Sequence, residues 1–344
     1  MEQISAKDLS DLLVQFLKGI RYNDEARLPP DELRSVYDFV LPFVPYNEKI
    51  VRQMAEYVHC TFSFLPLEIR QAVALYDAFQ MSVDDMAVEQ HDSLQDLCIQ
   101  LSAREKVQHP VWNRFFSSIP LLLQHYGPYA QTTLFRGALE FIQATCVERT
   151  LFRGYPGSTY PAYIRRMSAQ GPVQAAVCFP ESEFPQSKYL PIIATLEAEV
   201  EDFVGAVNDL FSFYKESDNA FERINFPLNE AACSNRSVLE ILRELSATAI
   251  ASRQRMMDTL GLISDDRLSR RVMEFFVGYV RYHLCCGRYR IAGLCVESGN
   301  EELQGFYQIS MNTLGGATAA NSRTARLRSS RLADAIPNAI PALW

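Results

Sequence analysis

Three oxygen-bearing side chains follow one another at intervals of four residues, Asn208, Ser212 and Glu216. Because an α-helix turns about 100° per residue, positions four apart lie on nearly the same stripe of its surface. An amide oxygen, a hydroxyl and a carboxylate are hard ligands that suit Mg²⁺. Lys215 lies seven residues after Asn208, returns to that stripe and offers an ammonium group to a phosphate. The segment 208–216 therefore predicts a helical Mg²⁺ site beside a phosphate-binding cation.

A second acidic cluster, Asp84-Asp85, ends an apolar helix predicted at about residues 66–87, and Asp77 lies on the same side of that helix. Adjacent acids at a helix C-terminus are unfavourable because the carbonyl end carries partial negative charge. Either bound cations or exposure to water compensates for them. The apolar run 72–79 just before the pair favours a cation site at the mouth of a buried cavity.

Basic side chains that could bind an anion occur in two further places. Arg165 and Arg166 belong to a short predicted helix, and Arg288 precedes Tyr289. An arginine binds phosphate oxygens through two donors, and a tyrosine hydroxyl adds a third hydrogen bond. A surface salt bridge is the simpler interpretation of any one arginine, so the hypothesis depends on the clusters lying together.

The composition is ordinary for a globular protein, with 344 residues, 48% hydrophobic and 22% charged. The net charge of −8 argues against nucleic acid as a partner, because a nucleic-acid binder needs a basic face. Eight cysteines without a C-x-x-C pair favour reduced core thiols in a cytoplasmic protein. We expect no signal peptide and no membrane insertion, since no stretch approaches about 18 apolar residues.

Helical periodicity extends along nearly the whole chain, and no alternating strand pattern interrupts it. We therefore predict an all-α protein with a single domain over residues 1–313 and a basic, flexible tail over 314–344. Breaks at 180–185 and 226–235 are interpreted as loops. Beyond an N-terminal amphipathic helix and one starting near Pro29-Pro30, helices are predicted at about 47–60, 66–87, 90–104, 110–124, 128–152, 160–170, 188–217, 236–260, 265–297 and 300–313.

Taken in this order, Asp84-Asp85, Arg165, the segment 208–216 and Arg288-Tyr289 resemble the motifs of class I terpene cyclases. The sequence is most similar to the trichodiene synthase-like sesquiterpene synthase family, over much of residues 10–300. Shorter stretches that look like this family are His109-Pro110, Tyr126-Gly127-Pro128, Pro156-Gly157-Ser158, Tyr160-Pro161, Arg165-Arg166-Met167 and His283-Leu284-Cys285.

The resemblance implies a class I terpenoid-synthase helical bundle around an apolar cavity. It implies a Mg²⁺-dependent sesquiterpene cyclase that ionises farnesyl diphosphate, cyclises the cation to a C15 hydrocarbon or alcohol and releases diphosphate. Three Mg²⁺ ions are expected. The residues matching metal-binding positions are Asp84, Asn208, Ser212, Glu216 and, more loosely, Glu148, whose counterpart orders metal-bound water. The residues matching diphosphate-binding positions are Arg165, Lys215, Arg288 and Tyr289.

A carbocation left behind by diphosphate must be kept from water and steered by aromatic faces. Four aromatic residues are candidates for that wall, with ordinary core packing as the alternative for each. They are Phe79, Phe141, Phe211 and Tyr282.

The sequence departs from the family pattern at three positions. Val88 stands where the first motif has a third acid, Gly287 precedes Arg288, and Cys286 replaces an acid. These changes leave open a catalytically silent helical protein that binds isoprenoid or diphosphate. A chain-elongating prenyltransferase is less favoured, because 208–216 does not match a second Asp-rich motif. The sequence is also compatible with a homodimer.

Overall fold

The computed structural model describes residues 4–86, 96–148, 150, 152–217 and 225–314, and only the backbone of 83–86. Within these ranges the chain forms fifteen α-helices and one 3-10 helix, with no strand. The all-α prediction is therefore confirmed. In the same ranges, no helix combines the length and apolar character needed to cross a membrane.

The described helices are between 6 and 32 residues long, and the two longest lie in the second half of the chain. Their bounds are α1 Ala6–Gly19, α2 Pro30–Val40, α3 Glu48–Thr61, α4 Leu67–Met86, α5 Leu97–Ser102, α6 Pro110–Leu123, α7 Pro128–Glu148, α8 Tyr160–Ala169, α9 Gly171–Val177, α10 Gln186–Ser217, α11 Phe226–Ser234, α12 Val238–Gly261, α13 Asp266–Cys285, α14 Ile291–Ser298 and α15 Glu301–Thr313.

Helix α10 is the longest helix and carries the segment 208–216 near its C-terminus. It packs against α8, α9, α12 and α13, and also contacts α1. Apolar side chains surround much of its circumference, so burial on several faces stabilises it. Val200, Phe203 and Val207 are all fully buried. One large hydrophobic core extends from α1 to α15, and a smaller apolar cluster contains Ala144 of α7 with Ile164 and Met167 of α8.

The loop predicted at 226–235 is wrong, because residues 226–234 form helix α11. Pro227 lies in the first turn, where a proline removes no intrahelical hydrogen bond. The side chain of Asn225 caps the helix by accepting a hydrogen bond from the backbone of Leu228 at 3.0 Å. Asn235 then ends the helix in a left-handed conformation. The proline that suggested a break therefore helps to start a helix.

The single helix predicted at 265–297 is also wrong. Helix α13 ends at Cys285, a 3-10 turn covers Gly287–Tyr289, and α14 begins at Ile291. Cys286 is extended and Arg290 adopts a positive φ of 60°, so the chain changes direction twice within five residues. This break places Arg288 and Tyr289 at the end of α13, where they face the cavity described below.

A buried ion pair connects the segment between α1 and α2 to α13. Arg281 donates to both carboxylate oxygens of Asp24, at 2.6 and 2.7 Å. It also donates to the backbone carbonyl of Cys60 in α3 at 2.8 Å. A guanidinium fork that binds one carboxylate through two donors fixes the geometry of three chain segments.

Several predicted features lie outside the described residues. They are the side chains of Asp84 and Asp85, residue Val88 and the basic tail beyond Leu314. The backbone of Asp84 and Asp85 lies in the last turn of α4.

Candidate active site

A large cavity of about 1640 Å³ opens between α3, α4, α7, α8, α10 and the end of α13. Its lining changes character from one part to another. Lys215, Glu216 and Arg288 are partly exposed, whereas Asp77 and Gln174 on the same cavity are buried. The cavity therefore has an accessible charged region and a buried region.

Asn208 lies where three chain segments meet. Its side-chain oxygen accepts a hydrogen bond from Arg165 of α8 at 2.9 Å. Its side-chain nitrogen donates to the hydroxyl of Tyr289 at 3.2 Å and lies 3.3 Å from Nε2 of His283. The predicted metal stripe and the predicted diphosphate-binding groups are thus brought together.

His283 orients the amide of Asn208. Its Nδ1 lies 2.8 Å from the carbonyl oxygen of Tyr279, so Nδ1 carries the proton and Nε2 is left as an acceptor. Burial lowers the pKa of His283 to about 3, which keeps the ring neutral. The amide nitrogen of Asn208 therefore faces His283, and its oxygen faces Arg165. Sequence reasoning quoted His283 only as part of a family-like stretch and did not predict this contact.

Arg165 is held by α10 through three hydrogen bonds. Besides Asn208, it donates to the carboxylate of Asp209 at 2.9 Å and to the carbonyl of Gly205 at 3.3 Å. Burial raises the pKa of Asp209 to about 7, although Arg165 opposes that shift. Arg166 points elsewhere, with its Nε 3.9 Å from Glu201. Of the two adjacent arginines, Arg165 is the one that lines the cavity.

The sequence analysis did not predict that Asp209 binds Arg165 in this site. The available signal was an acid directly after Asn208 in a helix that is apolar on its other faces. A carboxylate buried in such a position needs a cation, and Arg165 supplies it from α8.

Ser212 is the member of the stripe with an unmet hydrogen-bonding capacity. Its side chain is 2% exposed, and its hydroxyl has no hydrogen-bond partner among the described residues. Such a group costs free energy unless something outside the chain binds it. One turn further, a carboxylate oxygen of Glu216 lies 3.2 Å from Nζ of Lys215.

The donor set fits Mg²⁺. The hydroxyl of Ser212 is an oxygen donor without a partner among the described residues, and the amide oxygen of Asn208 keeps a second lone pair beside its bond to Arg165. Glu216 adds a carboxylate at the same end of α10. Within the described ranges, no three His, Cys, Asp or Glu side chains could hold a metal ion together. The predicted ligand set contains only one residue of these four types, Glu216. Its other two members, Asn208 and Ser212, would bind through an amide oxygen and a hydroxyl.

The other predicted polar residues also reach the cavity. Lys215, Arg288 and Tyr289 line it, and so does Glu148 at the end of α7. The charge of Glu148 contributes to the raised pKa of Asp209, which places both acids in one electrostatic environment. Gly287 faces open space, since a Cβ atom built on it meets no described atom within 4 Å.

The four predicted aromatic wall residues divide into two pairs. Phe141 and Tyr282 line the cavity. Phe79 and Phe211 are fully buried behind it, where Phe79 packs against Phe115 and Phe211 against Phe16. The structure therefore places the second pair in the core and not on the cavity surface, because their helix faces meet α6 and α1.

Two tyrosines that the sequence analysis did not single out also line the cavity, Tyr57 of α3 and Tyr279 of α13. They contact one another with ring centroids 6.3 Å apart, and Tyr57 lies 4.9 Å from the ring of Tyr282. In the sequence, each of these tyrosines is an aromatic residue on the apolar stripe of a helix. That pattern does not distinguish a residue of a cavity wall from a residue of the core.

The chain is similar in sequence to proteins named as trichodiene synthase or terpene cyclase. Trichodiene synthase from Paramyrothecium roridum is 28% identical over 225 residues, covering 65% of this chain and 58% of that protein. The match thus spans less than two thirds of that relative's length. Terpene cyclase pbrA from Penicillium brasilianum is 28% identical over 312 residues, covering 85% of this chain and 76% of that protein.

The solved structure of a single-substitution variant of cucumene synthase shares 14% identity and a TM-score of 0.50, covering 76% of this chain and 97% of that chain. That similarity shows the fold, which is the all-α fold of class I terpenoid synthases. The family model described as Trichodiene synthase (TRI5) matches residues 45–315. Because this match covers most of the sequence, the chain belongs to the trichodiene synthase family.

Proposed function

We propose that this chain is a Mg²⁺-dependent sesquiterpene cyclase. It ionises farnesyl diphosphate, closes the carbocation to a C15 hydrocarbon or alcohol and releases diphosphate. The observation that carries the proposal is the hydrogen bond between Asn208 and Tyr289, 81 residues apart, with Arg165 on the other side of the amide. It joins the metal stripe and the anion-binding groups at one region of a large cavity.

The first task of the site is to bind the diphosphate. Arg165, Lys215 and Arg288 present positive charge to the accessible region, and Tyr289 presents a hydroxyl. Preorganised donors of this kind stabilise charge as it develops on a leaving group. Asn208, Ser212 and Glu216 would hold one Mg²⁺, and Asp84 would bind others from α4. Bound Mg²⁺ supplies further positive charge that stabilises the departing diphosphate.

The second task is to protect and steer the carbocation. Phe141 and Tyr282 face the cavity together with Tyr57 and Tyr279, and their π faces are suited to cations. Burial keeps the pKa of each of these three tyrosines well above 10, so the phenols stay neutral. A neutral aromatic wall stabilises a cation without offering it an anionic nucleophile.

The direct test is to incubate the purified protein separately with C10, C15 and C20 prenyl diphosphates, with and without Mg²⁺. We expect cyclic C15 products and free diphosphate from farnesyl diphosphate, and only with a divalent ion. Gas chromatography with mass spectrometry identifies the products. If folded protein with Mg²⁺ forms no C15 product, the cyclase hypothesis is wrong and a catalytically silent binding protein is the better interpretation. If added isopentenyl diphosphate leads to longer chains, the protein is a chain-elongating prenyltransferase and not a cyclase.

Adjacent arginines provide a matched pair of variants. Arg165→Gln removes a cavity-lining guanidinium, whereas Arg166→Gln removes one that faces Glu201. We expect the first to weaken diphosphate inhibition and broaden the product mixture, because closure and cavity shape are coupled. The second should leave both unchanged. Equal diphosphate binding by the two variants would contradict the assignment of Arg165.

A further inference from the structure

Asp77 is a buried acid in the cavity that the proposed ionisation step does not use. It lies on α4, is 6% exposed and lines the cavity. It precedes Asp84 by seven residues, so it lies about 10 Å further along the helix from the predicted metal site. Its Oδ2 atom has no hydrogen-bond partner among the described residues.

The polar groups beside Asp77 are bound to one another. Gln80 donates to the side chain of Gln170 at 3.3 Å, and the hydroxyl of Tyr57 donates to Gln174. Asp77 is the member of this group whose buried oxygen is left without a donor among the described residues. Burial raises the pKa of its carboxyl to about 8. An unpaired acid in a cleft, with a shifted pKa, is costly to the fold and marks a functional position.

We propose that Asp77 is the proton acceptor that ends the carbocation reaction in the buried region of the cavity. This inference rests on the proposed cyclase function. The ionised carboxylate removes a proton from a carbon next to the cationic centre. The electron pair of that C–H bond becomes the new double bond, the positive charge disappears, and Asp77 is left as a neutral acid. Its proton passes to solvent after the hydrocarbon has left.

Geometry favours Asp77 over the diphosphate as the acceptor for a cation that forms in the buried region. Of the anion-binding groups, Lys215 and Arg288 are partly exposed, whereas Asp77 is buried and lies about two helical turns away from Asp84. A proton acceptor must come within hydrogen-bonding distance of the proton it removes. A cyclised chain that fills the buried region presents its hydrogens to Asp77 and not to the diphosphate.

Burial raises the pKa of Asp77 to about 8 and that of Asp209 on the same cavity to about 7, so a pH dependence is assigned to Asp77 by its loss in Asp77→Asn. The charge of Asp77 acts on Tyr57 of α3, Tyr76 of α4 and Tyr279 of α13. The phenols on which its charge acts have pKa values well above 10. Glu32 of α2 and Glu140 of α7 pair with arginines. The acids Glu56, Glu148 and Asp209 line the same cavity.

The test compares the products of the wild type with those of Asp77→Asn, which keeps the shape and loses the base. In the wild type, the share of the main olefin should rise between pH 7 and 9 as Asp77 ionises. In Asp77→Asn, diphosphate release should persist, while that share falls by about tenfold or more and no longer depends on pH. Olefins from other cations, or alcohols from water capture, should replace it.

Two further variants separate proton transfer from a change of shape. Gln80→Met alters the same wall without removing the acid, so it should change the product mixture but keep the pH dependence. Asp77→Glu should restore part of the main olefin. If Asp77→Asn forms the same olefin in the same share at every pH, diphosphate or another group is the acceptor. A main product that carries solvent oxygen also overturns the proposal. If the wild type releases no diphosphate, the cyclase function itself fails.

Discussion

Replacing Ser212 by alanine should raise stability and weaken metal binding at the same time. Most buried serines donate or accept a hydrogen bond, so their loss destabilises the fold. The hydroxyl of Ser212 has no partner among the described residues although its side chain is 2% exposed. Without a metal, the native state therefore contains a desolvated hydroxyl that alanine would remove.

The size of the effect follows from two contributions. A buried hydroxyl without a partner costs about 1–3 kcal/mol. Alanine also favours a helix interior over serine by roughly 0.5 kcal/mol. The small loss of packing opposes both. We expect a net gain of about 1–2 kcal/mol in the free energy of unfolding, which raises the Tm of a chain of this length by roughly 1–3 °C.

Thermal unfolding measures both the stability without a metal and the stabilisation by bound Mg²⁺. Without Mg²⁺, Ser212→Ala should melt above the wild type. With Mg²⁺ and inorganic diphosphate, the wild type should gain stability from ligand binding. The variant should gain less, because loss of one ligand weakens the metal affinity by about tenfold or more. Farnesyl diphosphate turnover at limiting Mg²⁺ should fall in parallel.

Ser252 is the matched control. It is also a buried serine on a long helix, but its hydroxyl donates to the backbone carbonyl of Glu199. Ser252→Ala should therefore lower stability by about 1 kcal/mol and leave the Mg²⁺ dependence unchanged. If Ser212→Ala is destabilised as much as Ser252→Ala, and its melting responds normally to Mg²⁺ and diphosphate, the metal-ligand reasoning is refuted.

Three other predictions concern charged groups. Arg281→Met leaves the carboxylate of Asp24 buried without its cation, so it should lower the free energy of unfolding by about 3–5 kcal/mol. Denaturant unfolding measures this loss, and a loss below about 1 kcal/mol would contradict the buried ion pair. The folded pKa of Asp77 lies above its unfolded value, so Asp77 should contribute a fall in stability of roughly 2–4 kcal/mol from pH 5 to 8, and Asp77→Asn should remove that contribution and leave the one from Asp209. An unchanged slope would show that Asp77 is not buried. Arg165→Lys keeps the charge but loses the planar group that donates to both Asp209 and Asn208, so diphosphate inhibition should weaken by about tenfold or more. Equal inhibition would show that the charge alone is sufficient.

The fold was predictable from the sequence to the extent that it depends on local pattern. Apolar residues at helical spacing identified most helices, including α10 and α13. The errors fall where local signals conflict. Pro227 suggested a loop but starts α11, and the lone Gly287 did not indicate that α13 ends at Cys285. The second break depends on an extended Cys286 and on Arg290 in the left-handed region, which residues other than glycine adopt rarely.

For this protein, the sequence alone determined the helical class and the stripe of Asn208, Ser212 and Glu216, because both follow from a period of 3.6 residues along one helix. Only the tertiary structure decided which distant groups meet that stripe. It turned Arg165 and not Arg166 toward Asn208, placed Phe211 in the core and Tyr57 on the cavity, and left Asp77 buried without a partner for Oδ2 among the described residues. Helix periodicity defines a face, but the neighbour of that face depends on how separate helices pack, which spacing along the chain does not encode.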